Sequence, residues 1–130
     1  MQAGSLIKMT GNSTLTLGKD GAAYPYLENN FNQYISDPAS SGAVCVTSGT
    51  VNIKSGDYFG NVSSGPGGFM FAKGYEDPNP TLNVPVVVNI SGGNFGSTAE
   101  NKGNIAGTDA SADDRNGGCI YGHVTNINVS

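Results

Sequence analysis

The sequence predicts an all-β chain whose strands stack in parallel as a β-solenoid of about three to four coils with loop insertions. Three observations carry this: a composition suited to strands and turns, apolar segments led by glycine that recur along the chain, and equal spacing within the recurring units.

Composition comes first. The 130 residues include 20 Gly and no Trp, and only 12% are charged, so Asn, Ser and Thr supply most of the polarity. Helix formers are sparse, while β-branched residues, Gly and Asn are plentiful, which favours strand and turn. That length suits a single domain, 1–130, with one modest core. Low charge with alternating apolar residues argues against disorder. No apolar run reaches membrane-spanning length, so no membrane insertion by this segment is expected. A net charge of −4 with six scattered basic residues speaks against nucleic acid, whose binding requires clustered Lys and Arg. Met1-Gln2-Ala3-Gly4 does not open a charged-then-apolar targeting segment. Two cysteines are too few for a disulfide scaffold.

The repeat has two halves. Glycine-led apolar segments occur at Ser41-Gly42-Ala43-Val44-Cys45-Val46, Gly67-Gly68-Phe69-Met70-Phe71 and Gly117-Gly118-Cys119-Ile120-Tyr121. Each is followed by a matching strand: Thr50-Val51-Asn52-Ile53, Val87-Val88-Asn89-Ile90 and Asn126-Ile127-Asn128-Val129. The first two continue as Ser55-Gly56-Asp57-Tyr58-Phe59-Gly60 and Ser91-Gly92-Gly93-Asn94-Phe95-Gly96. The third stops at Ser130, where its continuation would begin, so the chain is expected to be a piece of a longer repeat protein.

Nine residues separate Gly42 from Val51 and nine separate Gly118 from Ile127. Another 17 lead from Val51 to Gly68, giving an uninterrupted unit of 26 residues. A weaker first copy, Thr14-Leu15-Thr16-Leu17, precedes them. The excess lengths elsewhere are assigned to insertions at about 23–40, 74–85 and 97–116. A unit of that size holds about three short strands with tight turns.

Alternation then fixes the faces, since successive strand residues point to opposite sides. Val51, Val88 and Ile127 are predicted to form one inner column, and Ile53, Ile90 and Val129 another. Asn52, Asn89 and Asn128 would form an outer amide ladder, with Thr16 in the same column. An ice-binding face, which needs Thr throughout, is not expected from that column. The competing fold is an antiparallel sandwich with Gly-rich turns.

Phe59-Gly60-Asn61 leading to Gly67-Gly68-Phe69-Met70, together with Gly117-Gly118-Cys119-Ile120, resembles the repeats of polymorphic outer-membrane and autotransporter passenger proteins. The resemblance covers about residues 41–130. It implies a right-handed parallel β-helix and an extracellular or cell-surface, bacterial, adhesin-type role.

Insertions in solenoids emerge as loops and often carry binding. The first and third leave at the same connection, so together they mark one edge as the candidate site. The first carries Tyr24, Tyr26 and Tyr34, whose rings either stack on sugars or cover the end of the core. Leu27, Phe31, Tyr34 and Ile35 fall at helical spacing before Asp37-Pro38, which predicts a short helix. The third carries Asp109, Asp113 and Asp114, candidate Ca²⁺ ligands by their oxygen chemistry, although they lack EF-hand or nonapeptide spacing and a solvated turn is the simpler reading.

No catalytic residues are assigned. Adjacent carboxylates such as Asp113-Asp114 point apart in a strand, whereas glycosidic cleavage needs two held across one bond. His123 is the only histidine and reads as a surface residue. Cys45 and Cys119 are expected to be buried thiols two coils apart, too distant for a disulfide. The expected function is therefore a non-enzymatic surface module binding a glycan or a host or neighbour protein, without a required cofactor. A structural stalk and a polysaccharide lyase or hydrolase are the alternatives, and an open end of the stack would favour self-association.

Overall fold

A computed structural model describes residues 5–32, 42–96, 103–107 and 118–130. Among them are twelve strands: β1 (Ile7–Met9), β2 (Thr14–Leu17), β3 (Phe31–Asn32), β4 (Val44–Val46), β5 (Thr50–Ile53), β6 (Asp57–Tyr58), β7 (Val62–Ser63), β8 (Met70–Lys73), β9 (Val86–Ile90), β10 (Asn94–Phe95), β11 (Ile120–His123) and β12 (Thr125–Val129). The helical content of the described residues is a single 3₁₀ turn, Pro80–Leu82.

The strands form two four-stranded sheets, ordered β1-β4-β8-β11 and β12-β9-β5-β2, and two pairs, β10-β6 and β3-β7. Every strand pairing is parallel. Single parallel bridges, Tyr26 to Asp57 and Val62 to Ile105, add a third member to each pair. The chain thus visits four stations in a constant order, and each pass lies against the one before. Parallel neighbours of this kind exclude the antiparallel sandwich, whose sheets are built from oppositely running strands.

Register follows the apolar pattern. Leu15 lies against Val51, Val51 against Val88, and Val88 against Ile127; Leu17, Ile53, Ile90 and Val129 form the parallel column. Val51, Ile53 and Val88 are fully buried, whereas Ile127 and Val129, in the last pass, are 45% and 75% exposed. On the opposite face Asn89 Nδ2 donates to Asn52 Oδ1 at 2.9 Å, and Asn128 Nδ2 to Asn89 Oδ1 at 2.9 Å. The outer amide ladder read from the sequence is therefore formed.

Inside, Tyr58, Phe69 and Phe95 pack ring against ring, with centroids 4.6 to 5.8 Å apart, beside Met70, Val44 and Val46. Each such buried side chain contributes about 1.5–3 kcal/mol by leaving water. All three residues of β4 are buried, as are Met70, Phe71 and Ala72 of β8. Both faces of these strands are covered, which is why they read as continuous apolar runs rather than as an alternation.

Two glycines show why the repeat begins with that residue. Gly42 has φ +78°, and a Cβ there would meet the Gly67 carbonyl oxygen at 2.9 Å. Gly68 has ordinary φ, but a Cβ would collide with the Gly118 carbonyl oxygen of the next pass.

Three details differ from the sequence reading. Over its described part, residues 27–32, the helix expected from Leu27 onward is replaced by stack pairing: Tyr26 bridges Asp57, and Phe31–Asn32 pairs with Val62–Ser63, while Tyr34 and Ile35 lie outside the described residues. Pairing along the stack outweighs a helical spacing that only four residues support. Second, Tyr58, not Phe59, lies against Phe95. The repeated Phe-Gly dipeptide is one residue out of structural register, and in a strand that slip exchanges the faces. Third, parts of the expected insertions belong to the stack. Nine residues lead from Leu17 to Tyr26 where four lead from Ile53 to Asp57, and ten from Asn32 to Gly42 where five lead from Ser63 to Gly68. The first excess is thus split in two around Tyr26–Asn32. The stretch 97–116 is divided likewise by Asn104 and Ile105. Residues 33–41 and 108–117 lie outside the described residues.

Candidate functional site

The candidate edge is built by the backbone of residues 24–32 lying along the second pass. Asp57 N donates to Pro25 O at 2.9 Å, Leu27 N to Asp57 O at 3.0 Å, and Asn29 N to Phe59 O at 3.1 Å. Ser55 Oγ donates to Tyr24 O at 2.7 Å while accepting from Lys19 N at 3.0 Å. These bonds pin the segment along the second pass, with a bend at Asn29, whose φ is +56°, and around Tyr26 alternation does the rest. Leu27 turns inward and packs against the core cluster, so Tyr26 faces outward.

Tyr24 and Tyr26 are 58% and 60% exposed. Leu27, between them and Asn30, is the residue of this segment that packs against the core cluster. Tyr34, the third tyrosine of the edge, lies outside the described residues.

Tyr26 shares an outer column with Asp57 and Asn94. Asn94 Nδ2 donates to Asp57 Oδ1 at 2.7 Å. The neighbouring station presents a second outer column, Phe31, Val62 and Ile105, in which Phe31 is 58% and Ile105 49% exposed. Asp57, Asn94 and Phe31 were not singled out from the sequence as surface candidates. A signal was present: Tyr26-Leu27, Asp57-Tyr58 and Asn94-Phe95 are all pairs of an outward residue followed by an inward apolar one, and the register of β5 with β9 aligns the last two.

Between the two columns a buried amide ladder holds the corner. Asn30 Nδ2 donates to Asn61 Oδ1 at 2.8 Å, and Asn61 Nδ2 donates to Asn104 Oδ1 at 2.9 Å and to Leu27 O at 2.8 Å. Asn104 Nδ2 in turn reaches Tyr58 O at 2.7 Å. Asn61 is fully buried with its amide satisfied, so the ladder fixes the spacing of three passes.

Burial pushes the Tyr58 hydroxyl up to about 12, with the Asp57 carboxylate adding to the effect. Burial also pushes the Cys119 thiol up to about 11, against a weaker opposing pull from the Asn104 amide, whose Nδ2 lies 3.4 Å from Sγ. Neither group is ionised near neutral pH. Cys45 is buried, Cys119 partly so, and neither forms a disulfide.

His123 pairs with Glu76 across 2.9 Å, tying the excursion between β8 and β9 to β11; the hydrogen bond from the imidazole and its charge hold the Glu76 carboxyl below its ordinary range. Both side chains are substantially exposed, so the pair adds little stability. Within that excursion Tyr75 and Val84 form an antiparallel bridge.

Asp109, Asp113 and Asp114, the candidate Ca²⁺ ligands, lie outside the described residues. Among the described residues no group of three or more His, Cys, Asp or Glu is arranged to hold a metal ion. No helix among them is long and apolar enough to cross a membrane.

The fold and edge together define an all-β chain of parallel sheets presenting outward aromatic, carboxylate and amide side chains on a pinned backbone. Comparison with protein-family models, with curated proteins and with solved structures finds no match.

Proposed function

We propose that this chain is a segment of a right-handed parallel β-helix that acts as a non-enzymatic, adhesin-type binding module at a bacterial cell surface or outside the cell. Its ligand is a carbohydrate or a partner protein, held on the edge that carries Tyr24 and Tyr26. The observation that supports this reading is the outward display of both rings, 58% and 60% exposed, on backbone already fixed by bonds to the second pass. An aromatic ring offers a broad apolar face and, in tyrosine, a hydroxyl, at the cost of few rotatable bonds. Pre-ordered backbone removes part of the entropy cost of binding.

A structural stalk is the second reading, favoured by the two amide ladders, which stiffen the stack whatever its surface does. A glycan array combined with a polysaccharide-degradation assay, run with and without chelator, separates these. Retention without cleavage supports the binding module with a carbohydrate ligand, loss of retention with chelator adds a metal, and absence of both retention and cleavage removes the carbohydrate ligand and leaves a partner protein or the stalk. Cleavage would point to a lyase or hydrolase.

A further inference from the structure

We propose that the outer column Tyr26, Asp57 and Asn94 is the binding subsite for a linear, uncharged polysaccharide whose chain lies along the stacking direction. The proposal rests on the binding-module reading and names the ligand chemistry of the same edge.

Three features carry it. Tyr26 supplies an exposed ring on which one pyranose face can rest. One and two passes on, Asp57 and Asn94 are locked together at 2.7 Å, a bond that uses one carboxylate oxygen and one amide proton. The other carboxylate oxygen, the amide oxygen and the second amide proton remain to accept from and donate to sugar hydroxyls.

Spacing is the second feature. In-register parallel strands place successive members of a column about 4.8 Å apart. That step is close to the length of one sugar unit in an extended glycan chain, so ring, carboxylate and amide meet successive units rather than crowding one. Charge is the third. A carboxylate at the centre of the column, on a chain of net charge −4, repels uronate and sulfated polymers and leaves neutral ones as the fitting class.

The test is calorimetric titration of the intact chain with neutral β-linked oligosaccharides, in cello-, xylo- and manno- series of about one to five units, beside an oligogalacturonate series. Affinity should rise with length and level off at about three units, the number the column can meet. Tyr26→Ala should weaken binding by about tenfold or more, whereas Tyr26→Phe, which keeps the ring, should retain it. Asn94→Ala and Asp57→Asn should each weaken it severalfold, and the acidic series should bind at least about tenfold more weakly than the neutral one.

Neutral glycan binding that ignores Tyr26→Ala, or that does not depend on length, overturns the proposal while leaving the binding-module reading standing. Absence of binding by every neutral series overturns it, and absence of binding by the acidic series as well counts against the carbohydrate arm of that reading.

Discussion

Asn61 and Asn104 stand 43 residues apart in the chain, yet the amide of the first, fully buried, donates to that of the second, half-buried, at 2.9 Å. Asn30 completes the same ladder from the other side. A buried amide with every partner in place costs little, but one that is half satisfied carries the full penalty of desolvation. The corner between the two outer columns therefore depends on three residues that sequence alternation alone assigns no role.

Asn61→Ala should destabilise the protein by about 1–3 kcal/mol, because it removes the side-chain partner of the Leu27 carbonyl and of the Asn30 amide, while Asn104 keeps its bonds to the Asn61 backbone N–H and to Tyr58 O. Asn89→Ala removes a ladder member that lies on the outer face, and should cost about 0.5–1 kcal/mol. Urea unfolding of both variants gives the comparison; equal losses would contradict the separation into buried and outer ladders.

Ile53 and Val129 occupy one column but differ in cover, at 0% and 75% exposure. Ile53→Ala should cost about 2–4 kcal/mol, since it leaves a cavity in the packed interior. Val129→Ala should change stability by less than about 0.5 kcal/mol. Thermal and urea unfolding of the pair report this directly.

Tyr58 sets a limit at alkaline pH. Its hydroxyl is raised from 10.0 to about 12 in the folded chain, so above pH 10.0 the unfolded chain releases its proton first. The stability this group contributes is complete below pH 10.0 and declines as pH rises toward about 12. Stability measured across that window should fall in the native protein and fall less steeply in Tyr58→Phe. The same variant loses the bond from the hydroxyl to Ser55 O, about 1 kcal/mol at neutral pH.

Cys45 and Cys119 should resist thiol reagents in the folded protein and react fully in denaturant. Cys45 is inaccessible, and the Cys119 thiol, at about 11, holds little thiolate near neutrality. Non-reducing mass analysis should show no link between them. Cys45 pairs with Phe71 and Phe71 with Tyr121, so the last pass lies two strand steps away, about 10 Å, beyond disulfide reach of about 7 Å.

The parallel order of the strands was legible because identical side-chain types recur at equal spacing, and Val51, Val88 and Ile127 fall in one column as their positions require. The outer asparagines were legible for the same reason. The stations around Tyr26 and Phe31 were not. Their partners, Asp57 and Val62, share no residue type with them, so no repeated letter reveals the pairing. A two-residue strand also carries too little alternation to compete with an accidental helical spacing. The Phe59 and Phe95 match misled by one residue, because it followed composition where the register follows the inward side chains of Tyr58 and Phe95. β1 escaped notice as well: Ile7-Lys8-Met9 lacks the leading glycine of its later copies, although it pairs with Val44-Cys45-Val46.

The central claim is the parallel, in-register contact of Val51 with Val88 and of Val88 with Ile127. Nuclear Overhauser contacts among their backbone protons test it most directly. The parallel register requires the Hα-to-amide pattern of parallel neighbours linking both pairs across 37 and 39 residues of chain. Close Hα-to-Hα contacts of antiparallel strands, or no contact between these segments, would contradict it, and the edge built on that register would fall with it.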